Sequence, residues 1–180
     1  NMARRAAGFA ENNLHAEIIN GMDVLACLDA ARRAAALCRA GKGPVLLELG
    51  TPEQKAKHLL PMMQGRMRWC QGFSEPNAGS DLASLKTSAV RDEQGNFTIN
   101  GSKIWTSYGD KADWMYALVR TDPTARKQAG ISFVLIDMKS PGITVKPIEL
   151  VSGKSSFCEV FFDNVRVPAN ELVGTLHDGW

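Results

Sequence analysis

Two rhythms of apolar and polar positions run along this chain. Between residues 23 and 40, Val24, Leu25, Leu28, Ala31, Ala35 and Leu37 recur close to helical spacing, with Arg32 and Arg33 turned outward. That is the one-sided stripe of an amphipathic helix. Gly41 and Gly43 stop it, and Val45-Leu46-Leu47 follows as an apolar run that periodicity alone leaves open between strand and helix. The clearest helix start is Thr51, with Pro52 at the first helical position, where its missing N–H costs nothing, and Gln54 placed to complete a capping box. The pattern predicts a helix from there to about Met63, ended by Gly65, with Pro61 as the point where it would kink.

Beyond Arg68 the period becomes two. Strands are expected over 85–91, 96–107, 114–120, 131–137, 143–148 and 157–162. Asp92-Glu93-Gln94-Gly95 supplies turn chemistry between the first two, and Asn100-Gly101 reads as a tight turn splitting the second. Short antiparallel strands with polar turns imply a barrel or sandwich. The expected fold is therefore α+β: a helical N-terminal segment over 1–65, then a β domain over 66–180. No internal repeat or low-complexity tract interrupts either part.

Composition narrows the classes. A chain of 180 residues can bury a core without disulfides, and 44% apolar against 22% charged residues excludes a disordered chain. The net charge of +2 gives no reason to expect nucleic acid as a partner. No apolar run approaches the roughly 20 residues of a membrane span, and no secretory signal opens the chain, so a cytoplasmic protein is expected. Cys27, Cys38, Cys70 and Cys158 form no C-x-x-C pair, and His15, His58 and His177 are equally dispersed. No metal spacing results, and the cysteines read as small buried apolar residues.

The segment with chemical content runs from Trp69 to Asp81 (Trp-Cys-Gln-Gly-Phe-Ser-Glu-Pro-Asn-Ala-Gly-Ser-Asp). Two hydroxyls, two carboxylates and several small residues share one loop, which can present N–H groups and hydroxyls to an anion or a polar heterocycle. The plainer reading is a surface turn in which Ser80 or Asp81 caps a short helix. No Ser-His-Asp arrangement is evident, and Gly72-Phe73-Ser74-Glu75-Pro76 lacks the second glycine of a nucleophile elbow.

Ser74-Glu75-Pro76 through Ala78-Gly79-Ser80-Asp81, then Ile99-Asn100-Gly101-Ser102-Lys103-Ile104-Trp105-Thr106-Ser107, resembles the middle β domain of the acyl-CoA dehydrogenases. So do Val160-Phe161-Phe162-Asp163-Asn164-Val165-Arg166-Val167-Pro168 and Leu172-Val173-Gly174, and the helix at Thr51-Pro52-Glu53-Gln54-Lys55 resembles the one preceding that domain. The resemblance covers about residues 51–180. It implies FAD as cofactor, an acyl-CoA thioester as substrate, and removal of a hydride from the β carbon to give the trans-2-enoyl product. Gln71 to Ser80 would be the first flavin-binding loop, Gly79 included. Phe73 and Ser74 would address the pyrimidine edge of the isoalloxazine through N–H groups and the Ser74 hydroxyl. Ser80 would lie near the diphosphate and the acyl-CoA. Trp105, Thr106 and Ser107 match the second flavin segment, where strand alternation puts Trp105 and Ser107 on one face and Thr106 on the other. The family more often has threonine at positions 74 and 107; serine keeps the hydroxyl and loses a methyl.

The same resemblance implies a glutamate base from helices following the β domain, so the base is expected outside this chain and the chain alone is expected to be inactive. Glu75 would belong to the loop scaffold. Electron-transferring flavoprotein would be the redox partner, and the complete protein a homo-oligomer. The alternative is a non-catalytic α+β module without flavin.

Residues 11–50 carry a second resemblance. Asn20-Gly21-Met22-Asp23-Val24-Leu25-Ala26 through Leu47-Glu48-Leu49 is similar to the alpha subunit of the thiamine-dependent decarboxylase component of 2-oxo acid dehydrogenase complexes, and Glu11-Asn12-Asn13 to the end of its cofactor motif. The Gly-Asp-Gly opening of that motif is absent, and the segment before Gly21 is short. The magnesium of a thiamine site would lack its carboxylate, so thiamine binding is not expected. The two resemblances meet between Gly43 and Thr51, and the chain reads as a composite.

Overall fold

The computed structural model describes residues 51–153 and 155–180, together with Arg33 and the backbone of two short strands, β1 (His15–Ile18) and β2 (Val45–Glu48). The chain divides into two compact units, Asn1–Leu60 and Pro61–Trp180. In the first, β1 and β2 pair in parallel, His15 opposite Val45 and Ile18 opposite Glu48. The open run Val45-Leu46-Leu47 is thus a strand. The helix expected over 23–40 lies outside the described residues except at Arg33, which is helical and exposed. The Glu11-Asn12-Asn13 motif lies outside them altogether.

Helix α1 (Pro52–Met63) begins and ends on its own residues. The Thr51 N–H donates to Gln54 Oε1 and the Gln54 N–H to Thr51 Oγ1, both at 3.2 Å, which is the expected capping box. The helix passes through Pro61, and at its far end Arg66 N–H donates to Pro61 O at 2.9 Å and Gly65 N–H to Met62 O at 3.0 Å. With Gly65 at φ +67° this is a Schellman close, the left-handed residue being a glycine because a Cβ would be strained there.

The second unit is built on β3 (Trp69–Gly72), β4 (Ser88–Arg91), β5 (Phe97–Ser107), β6 (Trp114–Arg120), β7 (Ile131–Asp137), β8 (Ile143–Pro147), β9 (Phe157–Val167) and β10 (Leu172–Val173). They form one sheet in the order β10-β7-β6-β4-β5-β9-β8, with β3 paired to β6. It is mostly antiparallel, but β3 runs parallel to β6, and β4 touches β6 in parallel at Ser88–Arg120. The sheet is not closed, so it is an open relative of the expected barrel or sandwich. Inward residues of five strands meet in one core: Phe97 and Ile99 of β5, Met115 and Val119 of β6, Ile136 of β7, Val160 and Val165 of β9, with Ala89 of β4. Cys70 and Cys158 lie in it as free, buried thiols.

Two departures from expectation have one cause each. Asn100-Gly101 is not a turn. β5 continues through it, and β9 instead carries an extra residue opposite, since Ile99 pairs with Val165 but Gly101 with Phe162. The bulge is held by Asn164, at φ +51°, whose N–H donates to Asn100 Oδ1 at 2.8 Å. Gly101 is required because φ is +141° there and a Cβ would meet Thr87 Cα at 2.8 Å. Hence β9 runs to Val167, past the polar Asp163-Asn164 that looks like its end. Trp69–Gly72 is a strand, although its sequence reads as the start of a polar loop, because Gln71 faces out while Cys70 and Gly72 face the core.

Candidate functional site

The loop after β3 is fastened to β5. Ile104 N–H donates to Ser74 O at 2.9 Å, and Glu75 and Ala78 exchange backbone hydrogen bonds at 2.9 and 3.0 Å, making Glu75-Pro76-Asn77-Ala78 a tight turn. Beneath it lies a charge pair that pattern reading missed. Lys103, 0% exposed, donates from Nζ to Glu75 Oε1 at 2.8 Å and to Phe73 O at 3.1 Å. Glu75 also accepts the Lys86 N–H at 2.6 Å and the Thr87 N–H at 2.9 Å. Burial pushes the Glu75 carboxyl up, but Lys103 and these donors outweigh it and leave it below the usual carboxylate range. Burial pulls Lys103 down, against Glu75 holding it up. With its oxygens taken and 9% of its surface exposed, Glu75 is a scaffold residue.

The end of β5 is bulged. Lys103 pairs with Val160 and Thr106 with Cys158, so Ile104 and Trp105 together oppose Glu159 alone. Trp105 takes φ +61° and stands 56% exposed, packed edge-on against Phe157 with centroids 6.2 Å apart. The bulge resets the alternation. Without it Trp105 would share the inward parity of Phe97, Ile99 and Lys103; with it Thr106 turns inward and Trp105 and Ser107 turn out. The outer surface here thus carries Trp105, Ser107 and, across the Ser74–Ile104 bond, Ser74. The Ser74, Ser80 and Ser107 hydroxyls take no partner among the described residues. Thr106 Oγ1 is buried without a hydrogen bond.

Phe73 stands edge-on to Tyr116 (5.8 Å) and Phe133 (6.3 Å), which stack on each other at 6.0 Å, so three half-buried rings flank the loop. Gln71 is exposed on β3 beside Tyr116. Gly79 and Ser80 are at the other end of the loop, and both are exposed. Neither Ser80 nor Asp81 caps the short turn Leu82–Ser84; Asp81 pairs instead with Lys127 at 2.5 Å.

Lys127 rims a cleft of about 710 Å³, lined also by Lys86, Arg91, Arg120, Thr121 and His177. Arg120 is spent on carbonyls, donating to Ala83 O (2.6 Å), Ala129 O (2.8 Å), Lys127 O (3.0 Å) and Leu85 O (3.4 Å). It fixes the cleft wall, while Lys86, also in the lining, is exposed. No described helix is long and apolar enough to cross a membrane.

Lys103 was legible in principle. It shares the inward parity of Phe97 and Ile99, and an inward lysine needs a carboxylate. The bulge left no such mark.

Comparison with known proteins accords with this geometry. The family described as acyl-CoA dehydrogenase, middle domain, matches residues 70–165, and the one described as dehydrogenase E1 component matches residues 1–51. Acyl-CoA dehydrogenase FadE34 of Mycobacterium tuberculosis is 51% identical over 76% of this chain and 19% of its own length. Acyl-CoA dehydrogenase IpdE1 of Mycolicibacterium smegmatis is 44% identical over 77% of this chain and 38% of its own. The solved structure of the Tcur3481-Tcur3483 steroid acyl-CoA dehydrogenase superposes with a TM-score of 0.69 at 42% identity, covering 72% of this chain and 33% of that one. The chain therefore spans about a fifth to two fifths of the length of these relatives. With a matching family domain over more than half its residues, the chain belongs to the acyl-CoA dehydrogenase family.

Proposed function

We propose that residues 66–180 form a flavin- and thioester-binding β domain that serves the α,β-dehydrogenation of an acyl-CoA, with residues 1–65 a separate N-terminal segment. The observation that carries this reading is the outer surface at the end of β5, where the bulge turns Trp105 and Ser107 outward next to Ser74. An exposed indole, two unpartnered hydroxyls and the backbone of a rigid loop suit a flat, polar heterocycle. FAD fits these residues: Trp105 would cover the ring system, Ser107 and Ser74 would donate to its polar edge, and Gln71, Phe73, Gly79 and Thr106 would contribute mainly backbone and flanking surface. When bound, it would supply the hydride acceptor.

Ser80 would serve both ligands. It precedes Asp81, whose ion pair with Lys127 ties the loop to the rim of the cationic cleft. Lys86 and Lys127 there suit the anionic nucleotide part of coenzyme A. Abstraction of the α proton needs a free carboxylate, and Glu75 is excluded by its saturated oxygens, which leaves the base to another glutamate or aspartate. Electron-transferring flavoprotein as acceptor and a homo-oligomeric assembly belong to the same reading. The likeness to a steroid acyl-CoA dehydrogenase makes a steroid-derived thioester the first substrate to try.

The test is titration of the chain with FAD, followed by flavin fluorescence and thermal shift. Saturable binding with a raised melting temperature is expected, since a ligand selective for the folded state stabilises it. Ser74→Ala and Ser107→Ala should each cost roughly 1 kcal/mol, so the double variant should bind about thirtyfold more weakly. Unchanged affinity in the double variant would refute these residue roles, and no binding by the native chain would favour a β module without flavin.

A further inference from the structure

Among the described residues Lys103 is the lysine with a fully buried side chain. A buried ion pair by itself is weak evidence for anything, because desolvation of both charges offsets much of their attraction. The third contact is what distinguishes this one. Besides Glu75, the ammonium donates to the carbonyl of Phe73 at 3.1 Å, and the next residue of β5, Ile104, donates its N–H to the carbonyl of Ser74 at 2.9 Å. Three consecutive loop residues, Phe73, Ser74 and Glu75, are therefore each fixed by one of two consecutive residues of β5. Those two residues lie immediately before Trp105, where the strand bulges. Glu75 carries the clamp onward to Lys86 and Thr87, and the Thr87 hydroxyl returns it to β5 by donating to Ser102 O at 3.1 Å.

We propose that Lys103 is a positioning residue for the flavin site, holding the Phe73–Glu75 loop in register with the Trp105–Ser107 segment before any ligand arrives. The inference rests on the flavin reading of those two segments. Lys103 itself, wholly inside, touches no ligand; it acts through the Phe73 carbonyl and the Glu75 carboxylate. A pair that merely stabilises the fold would behave differently, because its neutral replacement would restore everything at once.

The experiment uses the full chain with Lys103→Met/Glu75→Gln, which removes both buried charges while the introduced amide oxygen can still accept from one of the two loop N–H groups. Three readouts are taken: melting temperature without ligand, FAD affinity by flavin fluorescence, and amide hydrogen exchange over residues 72–80. The expected result is a melting temperature close to native, FAD binding about tenfold weaker or worse, and loop exchange faster by a similar factor. A folded double variant with affinity within about twofold of native and unchanged exchange would overturn the proposal. Lys103→Met alone leaves the Glu75 carboxylate on its Lys86 and Thr87 donors and removes only the lysine; it should bind FAD about tenfold more weakly with faster loop exchange, whether or not the double variant folds. Affinity within about twofold of native and unchanged loop exchange in that single variant would overturn the assignment to Lys103. If the native chain binds no FAD, the flavin reading fails, and the exchange arm still decides: unchanged loop protection in the double variant would overturn the clamp as well.

Discussion

Gly101→Ala should be among the most damaging small changes available in the β domain. The backbone there has φ +141°, and a Cβ would stand 2.8 Å from Thr87 Cα, an atom that cannot rotate away. The forced conformation costs about 1–3 kcal/mol in itself. Moving Thr87 also threatens its N–H bond to Glu75 Oε1 at 2.9 Å and its hydroxyl bond to Ser102 O at 3.1 Å, and losing one buried hydrogen bond costs about 1 kcal/mol more. The total is about 2–4 kcal/mol. At roughly 2–4 °C per kcal/mol for a chain of this size, the melting temperature should fall by about 5–15 °C. Thermal unfolding followed by circular dichroism, with urea unfolding to confirm an unchanged slope, reads this directly. Gly79→Ala is the control: φ is ordinary, nothing lies within 4 Å of its Cβ, and stability should stay within about 0.5 kcal/mol. A Gly101→Ala melting temperature within about 2 °C of native would refute the reasoning, since it would mean that β5 passes Thr87 less closely than described.

The remaining predictions concern titration and thiol chemistry. Glu75 is held below its ordinary value of 4.5, so its stabilising effect is complete above that pH and is lost as pH falls through the lower folded value; the melting temperature should hold down to about pH 5 and then drop, and Glu75→Gln should lack that part of the acid limb. A variant that loses stability in acid as steeply as the native chain would show that Glu75 is not held in this way. The Cys70 thiol is pushed up to about 12, first by burial and then by neighbouring Cys158, so it should resist iodoacetamide at mildly alkaline pH until the chain unfolds. Mass-spectrometric detection of rapid Cys70 alkylation in the folded chain would contradict the inward placement of β3.

What the sequence revealed follows from how local each signal is. Thr51, Gln54 and Gly65 announce α1 because caps are satisfied within a few residues, and both ends formed as expected. Strands β6 and β7 occupy the residues that alternation assigns to them, since their core-facing sides are unbroken. Reading failed where the other strand decides. Asn100-Gly101 has the composition of a hairpin turn, and only the extra residue in β9 makes it a bulge. Likewise Trp105 and Ser107 share one face opposite Thr106, as alternation over those three residues implies, but which face that is depends on the other strand. Alternation counted from Phe97 would have turned Trp105 inward, and the bulge against Glu159 corrects it. Trp69–Gly72 hid a strand because four residues are too few to display alternation and they run directly into the polar loop that follows.

The two likenesses meet in one chain without conflict for a reason visible in α1. In the first unit β1 and β2 lie parallel, a pairing that needs a long crossover, and the residues between Ile18 and Val45 include helical Arg33. That is the grammar of an α/β unit, whereas the second unit is a largely antiparallel sheet whose strands are joined by turns. The dehydrogenase E1 match ends at residue 51 and the acyl-CoA dehydrogenase match begins at residue 70, with α1 between them. Its first turn is capped by Thr51 and Gln54 and its last by Gly65 and Arg66, so its capping hydrogen bonds come from residues of the helix and its immediate flanks. A helix capped in this way takes its end hydrogen bonds from residues 51–66, and segments with unrelated folding rules can follow one another across it.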